Sequence, residues 1–355
     1  MPVADDSVAP ESIALPPAAR VGGIDLLRGF CALAVFAFHV CYQYPHQHGT
    51  LWHELAPALT RFGYLGVPVF FMISGHVISK SAEFRSRPMF LASRAARLLP
   101  GFWIALALTV AALALSGGLP SLTTILANFA IVALWFGKPY LDGVYWSLTA
   151  EIAFYSAVAL IAIGPSFRRR MRMIMLAWMA IAVASWFVHV PGAVILNFPW
   201  APYFAIGVFM YFRSTDASRH DTVLLLVSFI VAAVQTFVYQ AQFAGWDWPY
   251  LATATAIMVG GGLTLFVLQS AILSGAWQRI AITAGAMSYP LYLIHNEFGR
   301  ALMGWLYAVE PWLAPVGALI VIILSYVIAR AEVRPARWLR RGIAGLFSRP
   351  ATAAR

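Results

Sequence analysis

Apolar residues run in long blocks along this chain, at about 26–44, 64–79, 98–116, 122–136, 146–164, 172–190, 196–212, 221–240, 250–273, 286–308 and 312–330. Most blocks approach the roughly 17–25 residues that a helix needs to cross the hydrocarbon core of a bilayer. The pattern predicts an all-α polytopic membrane bundle. Threading every block as a full crossing fails a charge test. If Arg28 is cytosolic, the run FRRRMR at 167–172 ends up outside. If the shortest block, 122–136, dips in and returns, every basic cluster becomes cytosolic, as the positive-inside bias requires. Backbone that does not span is tolerated at membrane depth where protein surrounds it. The expectation is about ten transmembrane helices plus one re-entrant or short helix, with both termini cytosolic.

Composition agrees with the blocks. The chain has 355 residues, 61% hydrophobic and 11% charged, against about 25% charged in a soluble domain. The formal net charge of +10 does not point to nucleic acid, because Lys and Arg sit in short runs between blocks, at 80–97, 168–172, 213–219 and 334–341. Cys31 and Cys41 lie ten residues apart on one helix, too far for a disulfide. Residues 1–22 read as a disordered cytosolic tail without the apolar core of a signal peptide. Residues 23–331 form the membrane domain. Residues 332–355 read as a basic cytosolic tail in which WLRRGIAGLF is amphipathic, suited to an anionic leaflet.

Charge inside a membrane span is costly and its default reading is functional. Arg28 and His39 are eleven residues apart, which returns them to one helical face about 16 Å apart along the axis. They are expected to look into one interior channel. Arg94 and Arg97, at i,i+3 in SRAARLLPGFW, present two guanidinium forks at the cytosolic surface, a geometry suited to phosphate. In GVYWSLTAEIAFY, Ser147, Glu151 and Tyr155 make a polar stripe. Glu151 is expected at the depth of His39, where a carboxylate orients an imidazole. In SYPLYLIHN, Ser288 is a helix cap, Pro290 fits a first turn, Tyr289, Tyr292 and Asn296 align, and His295 falls in the inner half of the bundle. Ser74 and Gly75 mark a close-packed point in the second span. His46, His48 and His53 match no standard zinc spacing, and no metal is expected.

The segments IDLLRGFCALAVFAFHV, GVPVFFMISGHVIS, RAARLLPGFW, WSLTAEIAFY and SYPLYLIHN occur in that order between about residues 24 and 300. Together they resemble acyltransferase family 3, integral membrane enzymes that acylate bacterial surface polysaccharides, nodulation factors, peptidoglycan and some macrolides. The resemblance implies acetyl-CoA as donor from the cytosol and an acceptor at the membrane or on its far side. It implies a multi-pass protein of the bacterial inner membrane, and functional roles for Arg28, His39, Arg94, Arg97 and Glu151. His76 stands where the family often has an aromatic residue, which adds an imidazole near the expected channel.

The residues and the resemblance give one expected mechanism. Arg94 and Arg97, with Arg28, hold the CoA phosphates, and the pantetheine arm runs up the interior. His39 acts as general base on an acceptor hydroxyl, or as an acetyl-carrying nucleophile, with Glu151 fixing the imidazole. Tyr292 or Asn296 supplies an oxyanion donor. Ser74, Ser147, Tyr292, His295 and Asn296 form the supporting polar network. The acceptor is a surface or exported polysaccharide or its lipid-linked precursor. The competing class is a proton-coupled transporter or flippase, which predicts flux driven by a pH gradient and no need of acetyl-CoA.

Overall fold

A computed structural model describes residues 22–43, 60–190, 192 and 196–347. Among these residues it is helical with no strand. Helix α1 spans Gly22–Ala37 and continues as a π-helical turn, Phe38–Gln43. Then come α2 (Gly66–Glu83), α3 (Arg87–Leu115), the short α4 (Leu122–Phe129) and α5 (Trp146–Ala157), which runs on into a second π-helical turn, Val158–Ala162. They are followed by α6 (Phe167–Ala184), α7 (Ala201–Thr215), α8 (Arg219–Ala244), α9 (Trp248–Leu268), α10 (Gly275–Ile294), α11 (Glu297–Val309), α12 (Ala314–Ala331) and α13 (Val333–Phe347). The loop histidines His46, His48 and His53, and the tails at 1–21 and 348–355, lie outside the described residues.

Among the described residues, seven stretches are long and apolar enough to cross a bilayer: Gly22–Gln43, Gly63–Glu83, Arg87–Leu115, Gly143–Ala162, Arg219–Gln242, Trp248–Leu268 and Pro311–Ile343. The remaining helices of the apolar blocks differ from these. Helix α6 opens on its arginines. Helix α7 is short and central, buried at every position from Ala201 to Phe212. Helices α10 and α11 follow one another with a break at His295–Asn296. Outward faces are apolar, as lipid requires: Phe30, Leu226, Ile230, Leu319 and Ile323 are all exposed.

Ion pairs gather the basic runs at one end of the bundle, called here the basic end. Arg168 Nε donates to Glu83 at 2.7 Å and its Nη2 to Thr215. Arg172 Nε and Nη2 donate to the two carboxylate oxygens of Asp221 at 2.8 and 2.7 Å. Arg97 lies 3.5 Å from Glu332, at the junction of α12 and α13. The re-entrant segment predicted for 122–136 is α4 with the turn after it. Ser121 caps α4 by accepting from the Thr124 N–H. Trp103, midway along α3, stacks on Phe129 at 4.8 Å and donates to its carbonyl, so the segment folds back along α3. Asn128 pins the return by donating to Pro139 O and accepting from the Leu141 N–H.

Packing against α2 is closest at two glycines. A Cβ on Gly75 would lie 2.1 Å from Phe204 O, and one on Gly207 1.9 Å from Met72 O, so α2 and α7 touch backbone to backbone. Helix α1 packs chiefly on α10, and α13 lies along α3. The expected C-terminal tail is thus a helix as far as Phe347, with Trp338 exposed beside Arg334, Arg337, Arg340 and Arg341.

Candidate functional site

Two cavities lie end to end in the bundle. The inner one, about 210 Å³, opens near the basic end and is lined by Arg28, Arg94, Arg97, Ser74, Ser147, Glu151, Tyr155, Tyr289 and Tyr292 among others. Three guanidinium groups therefore face one carboxylate. Arg28 is half-buried on α1, with Arg97, Glu151 and Asp25 as its charged neighbours. Arg94 and Arg97 point the same way from α3, as their i,i+3 spacing predicts. Aromatic faces hold them. The Arg94 guanidinium lies 5.9 Å from the rings of both Phe90 and Tyr155, and that of Arg97 5.3 Å from Tyr289. Glu151 accepts from Ser74 at 2.9 Å and from the Tyr155 hydroxyl.

The outer cavity is larger, about 600 Å³, and lined by His39, Tyr64, Trp146, Trp200, Tyr239, Tyr250, Tyr292, Asn296, Glu297 and Arg300 among others. It combines aromatic faces, such as the Trp146–Trp200 pair at 4.6 Å, with charged groups at the rim, where Arg300 lies 3.9 Å from Glu297. The two cavities share Val67 and Tyr292 as lining residues, so they meet at these side chains. The Tyr292 hydroxyl lies 2.8 Å from Ser147 Oγ and donates to Val144 O at 3.2 Å, which holds the ring across the junction.

His39 sits in the π-helical turn that ends α1. Such turns re-aim a side chain out of the regular helical register. Its Nδ1 lies 3.0 Å from Val35 O and 3.2 Å from Nε2 of His295. His295 is buried, and its own Nδ1 faces the carbonyls of Leu291 at 3.1 Å and Tyr292 at 2.7 Å.

Several placements correct the sequence reading. Glu151 is not beside His39. The re-entrant segment delivers the chain to α5 at depth, so Trp146 already lines the outer cavity and Glu151 falls beyond the Tyr292 junction, among the arginines. His295 is not in the inner half. Helix α10 starts at Gly275, eleven residues before the apolar block, so His295 is about 30 Å along it and level with His39. For the same reason Ser288 and Pro290 are mid-helix rather than at a cap, and Ser288 donates to Gly285 O. His76 lines neither cavity; its ring meets Tyr211 edge-on at 5.7 Å on the α7 side. Asn296 lines the outer cavity but gives one N–H to Asp142 at 2.8 Å. Arg28, Arg94, Arg97, Ser74 and Ser147 all line the inner cavity.

Two residues escaped sequence reasoning. Asp142, fully buried, accepts from Asn296 and from the N–H groups of Val144 and Glu297 at 3.0 and 2.9 Å. It thereby caps α11 from another segment and stabilises the break after His295. The second is Glu332, which pairs with Arg97. Its only sequence signal was an acid beside a basic run.

No group of three or more His, Cys, Asp or Glu suited to a metal occurs among the described residues. A family model for the acyltransferase domain matches residues 21–330, which include both cavities. Acyltransferase MdmB of Streptomyces mycarofaciens is 26% identical over 337 residues, covering 81% of this chain and 82% of that protein. No solved structure matches. The chain belongs to acyltransferase family 3 and is an acyl-transferring enzyme built as a multi-pass membrane bundle.

Proposed function

We propose that the enzyme is an O-acetyltransferase of the bacterial inner membrane. It takes acetyl groups from cytosolic acetyl-CoA and gives them to a hydroxyl of a surface or exported polysaccharide, or of its lipid-linked precursor. The observation that carries this reading is the pair of cavities meeting at Val67 and Tyr292, one lined by arginines and the other holding an imidazole. A CoA thioester has the same polarity: a polyanionic head and a thin arm of low charge ending in the reactive carbon. Under the positive-inside bias, the basic end faces the cytosol, where the donor is made, and both termini lie there.

In this reading Arg94, Arg97 and Arg28 bind the donor phosphates, and the arm reaches past Val67 to the outer cavity. His39 removes the proton of the acceptor hydroxyl as its oxygen attacks the thioester carbon. The tetrahedral adduct then expels the CoA sulfur, and the imidazolium returns the proton to the thiolate, giving ester and free CoA thiol. The second N–H of Asn296, which lines the outer cavity, is the candidate donor to the oxyanion, since the Tyr292 hydroxyl already donates to Val144 O. Glu151, bound to Ser74 and Tyr155 beside Arg28, orders the donor site rather than the base. The aromatic walls of the outer cavity suit the C–H faces of sugar rings.

Transfer of labelled acetyl from acetyl-CoA by membranes carrying the protein tests the reading. His39→Ala should cut transfer by about 10²–10⁴-fold with normal insertion. Near-wild-type transfer by that variant would overturn the assignment of the base. Mass spectrometry of surface glycans with and without the gene should show the acetyl mass difference, and its absence would exclude the acceptor class.

A further inference from the structure

The ring nitrogens of the two facing histidines form a chain whose protons are fixed by what each nitrogen meets. His295 Nδ1 faces two carbonyl oxygens, at 2.7 and 3.1 Å. A carbonyl only accepts, so this nitrogen carries the hydrogen. In the neutral ring Nε2 then holds a lone pair. That lone pair meets His39 Nδ1 at 3.2 Å, so His39 Nδ1 must be the donor. The carbonyl of Val35, 3.0 Å from the same nitrogen, demands the same tautomer. His39 Nε2 is left with its lone pair, makes no hydrogen bond among the described residues, and belongs to a ring that lines the outer cavity.

We infer that His295 is a positioning residue for the transfer reaction: it accepts the Nδ1 hydrogen of His39, turns the His39 Nε2 lone pair toward the acceptor, and shares the charge of the imidazolium. The inference rests on the reading of His39 as the base. In serine hydrolase triads a carboxylate performs this task. A neutral imidazole does so here at a site buried in the bundle, where an unpaired carboxylate would be expensive to desolvate. As His39 gains a proton at Nε2, its Nδ1–H becomes a charge-assisted donor and the bond to His295 strengthens in the transition state, not before it. The chain is held from behind. Asp142 binds Asn296 and the Glu297 N–H, fixing the helix break that presents His295.

The test compares two variants with the wild type. His295→Met fills similar space without a good acceptor. It should lower kcat by about tenfold to a hundredfold, part of the roughly 10²–10⁴ a positioned base supplies, with the KM for acetyl-CoA unchanged. His295→Gln restores a carbonyl oxygen near the place of Nε2 and should recover most of kcat. Wild-type kcat in the Met variant, or equal losses in both, would overturn the inference. The ¹⁵N chemical shifts of labelled histidine in the wild-type protein read the tautomers without any variant of His295, using the signals lost in His39→Ala for assignment. Protonated Nδ1 and bare Nε2 on His39 are expected; the opposite tautomer overturns the inference. An active His39→Ala would instead remove the base reading, which separates the two failures.

Discussion

The inner and outer cavities are built in opposite ways. The inner one draws charge from residues close together in sequence: Arg94 and Arg97 share a helix face, and Ser147, Glu151 and Tyr155 share another. Its cations are steadied by aromatic faces and by carboxylates, Glu332 beside Arg97 and Glu151 with Asp25 near Arg28, and it lies near the basic end. The outer one is assembled from partners far apart, His39 and His295 being separated by 256 positions. Its reactive ring is held by neutral acceptors only. The first arrangement suits a charged group that must arrive and leave. The second suits proton transfer, where a fixed lone pair matters more than net charge. In the proposed mechanism, binding and chemistry are thus divided along the bundle axis, with Val67 and Tyr292 lining both cavities between them.

Among tests of this division, the largest effect comes from closing the boundary. Val67→Trp fills the junction and should lower transfer about a hundredfold, since a misplaced reactive carbon costs on that order. Acetyl-CoA binding, measured by calorimetry on the purified protein, should persist. A variant with full transfer would show that the two cavities are not parts of one route. The arginines come next. Arg94→Ala and Arg97→Ala should each raise the KM for acetyl-CoA about tenfold with kcat little changed, from the loss of a charge-assisted contact near the open end. Lysine at either position should recover only part, because it lacks the planar fork. A fall in kcat at constant KM would move these residues out of donor binding.

The inner cavity was largely legible in the sequence and the outer one was not, for a physical reason. A charge in an apolar block is expensive wherever the block lies, so Arg28, His39, Arg94, Arg97 and Glu151 stood out before any fold was known. Which of them meet depends on the depth at which each helix begins. That depth was set by features with weak local signals: the re-entrant α4 segment that starts α5 inside the bundle, the π-helical turn at Phe38–Gln43, and the extension of α10 back to Gly275. Each shifts a register by several residues, enough to exchange Glu151 for His295 as the neighbour of His39. The break that presents His295 relies on Asp142, which reads in sequence as an ordinary loop acid but is fully buried in the fold. The all-α membrane class was legible, because long apolar blocks report it directly: seven stretches among the described residues are long and apolar enough to cross a bilayer, and Arg168, Arg172 and Arg97 converge on acids at one end.

Glu332 sharpens the comparison from the donor side. It lies 3.5 Å from Arg97 where α12 gives way to α13, and its second oxygen, Oε2, is buried without a hydrogen-bond partner. A phosphate entering the inner cavity competes with this carboxylate for Arg97. Glu332→Gln removes the competitor while keeping the shape. Arg97 is one-third exposed, so the pair is worth no more than about 0.2–1 kcal/mol, and acetyl-CoA should bind about twofold to fivefold more tightly in the variant. The kcat should stay as it is, since Glu332 is remote from His39. Weaker binding would mean the opposite: the carboxylate would be the strut that holds Arg97 over Tyr289, and α13 would then be part of the donor site instead of its competitor.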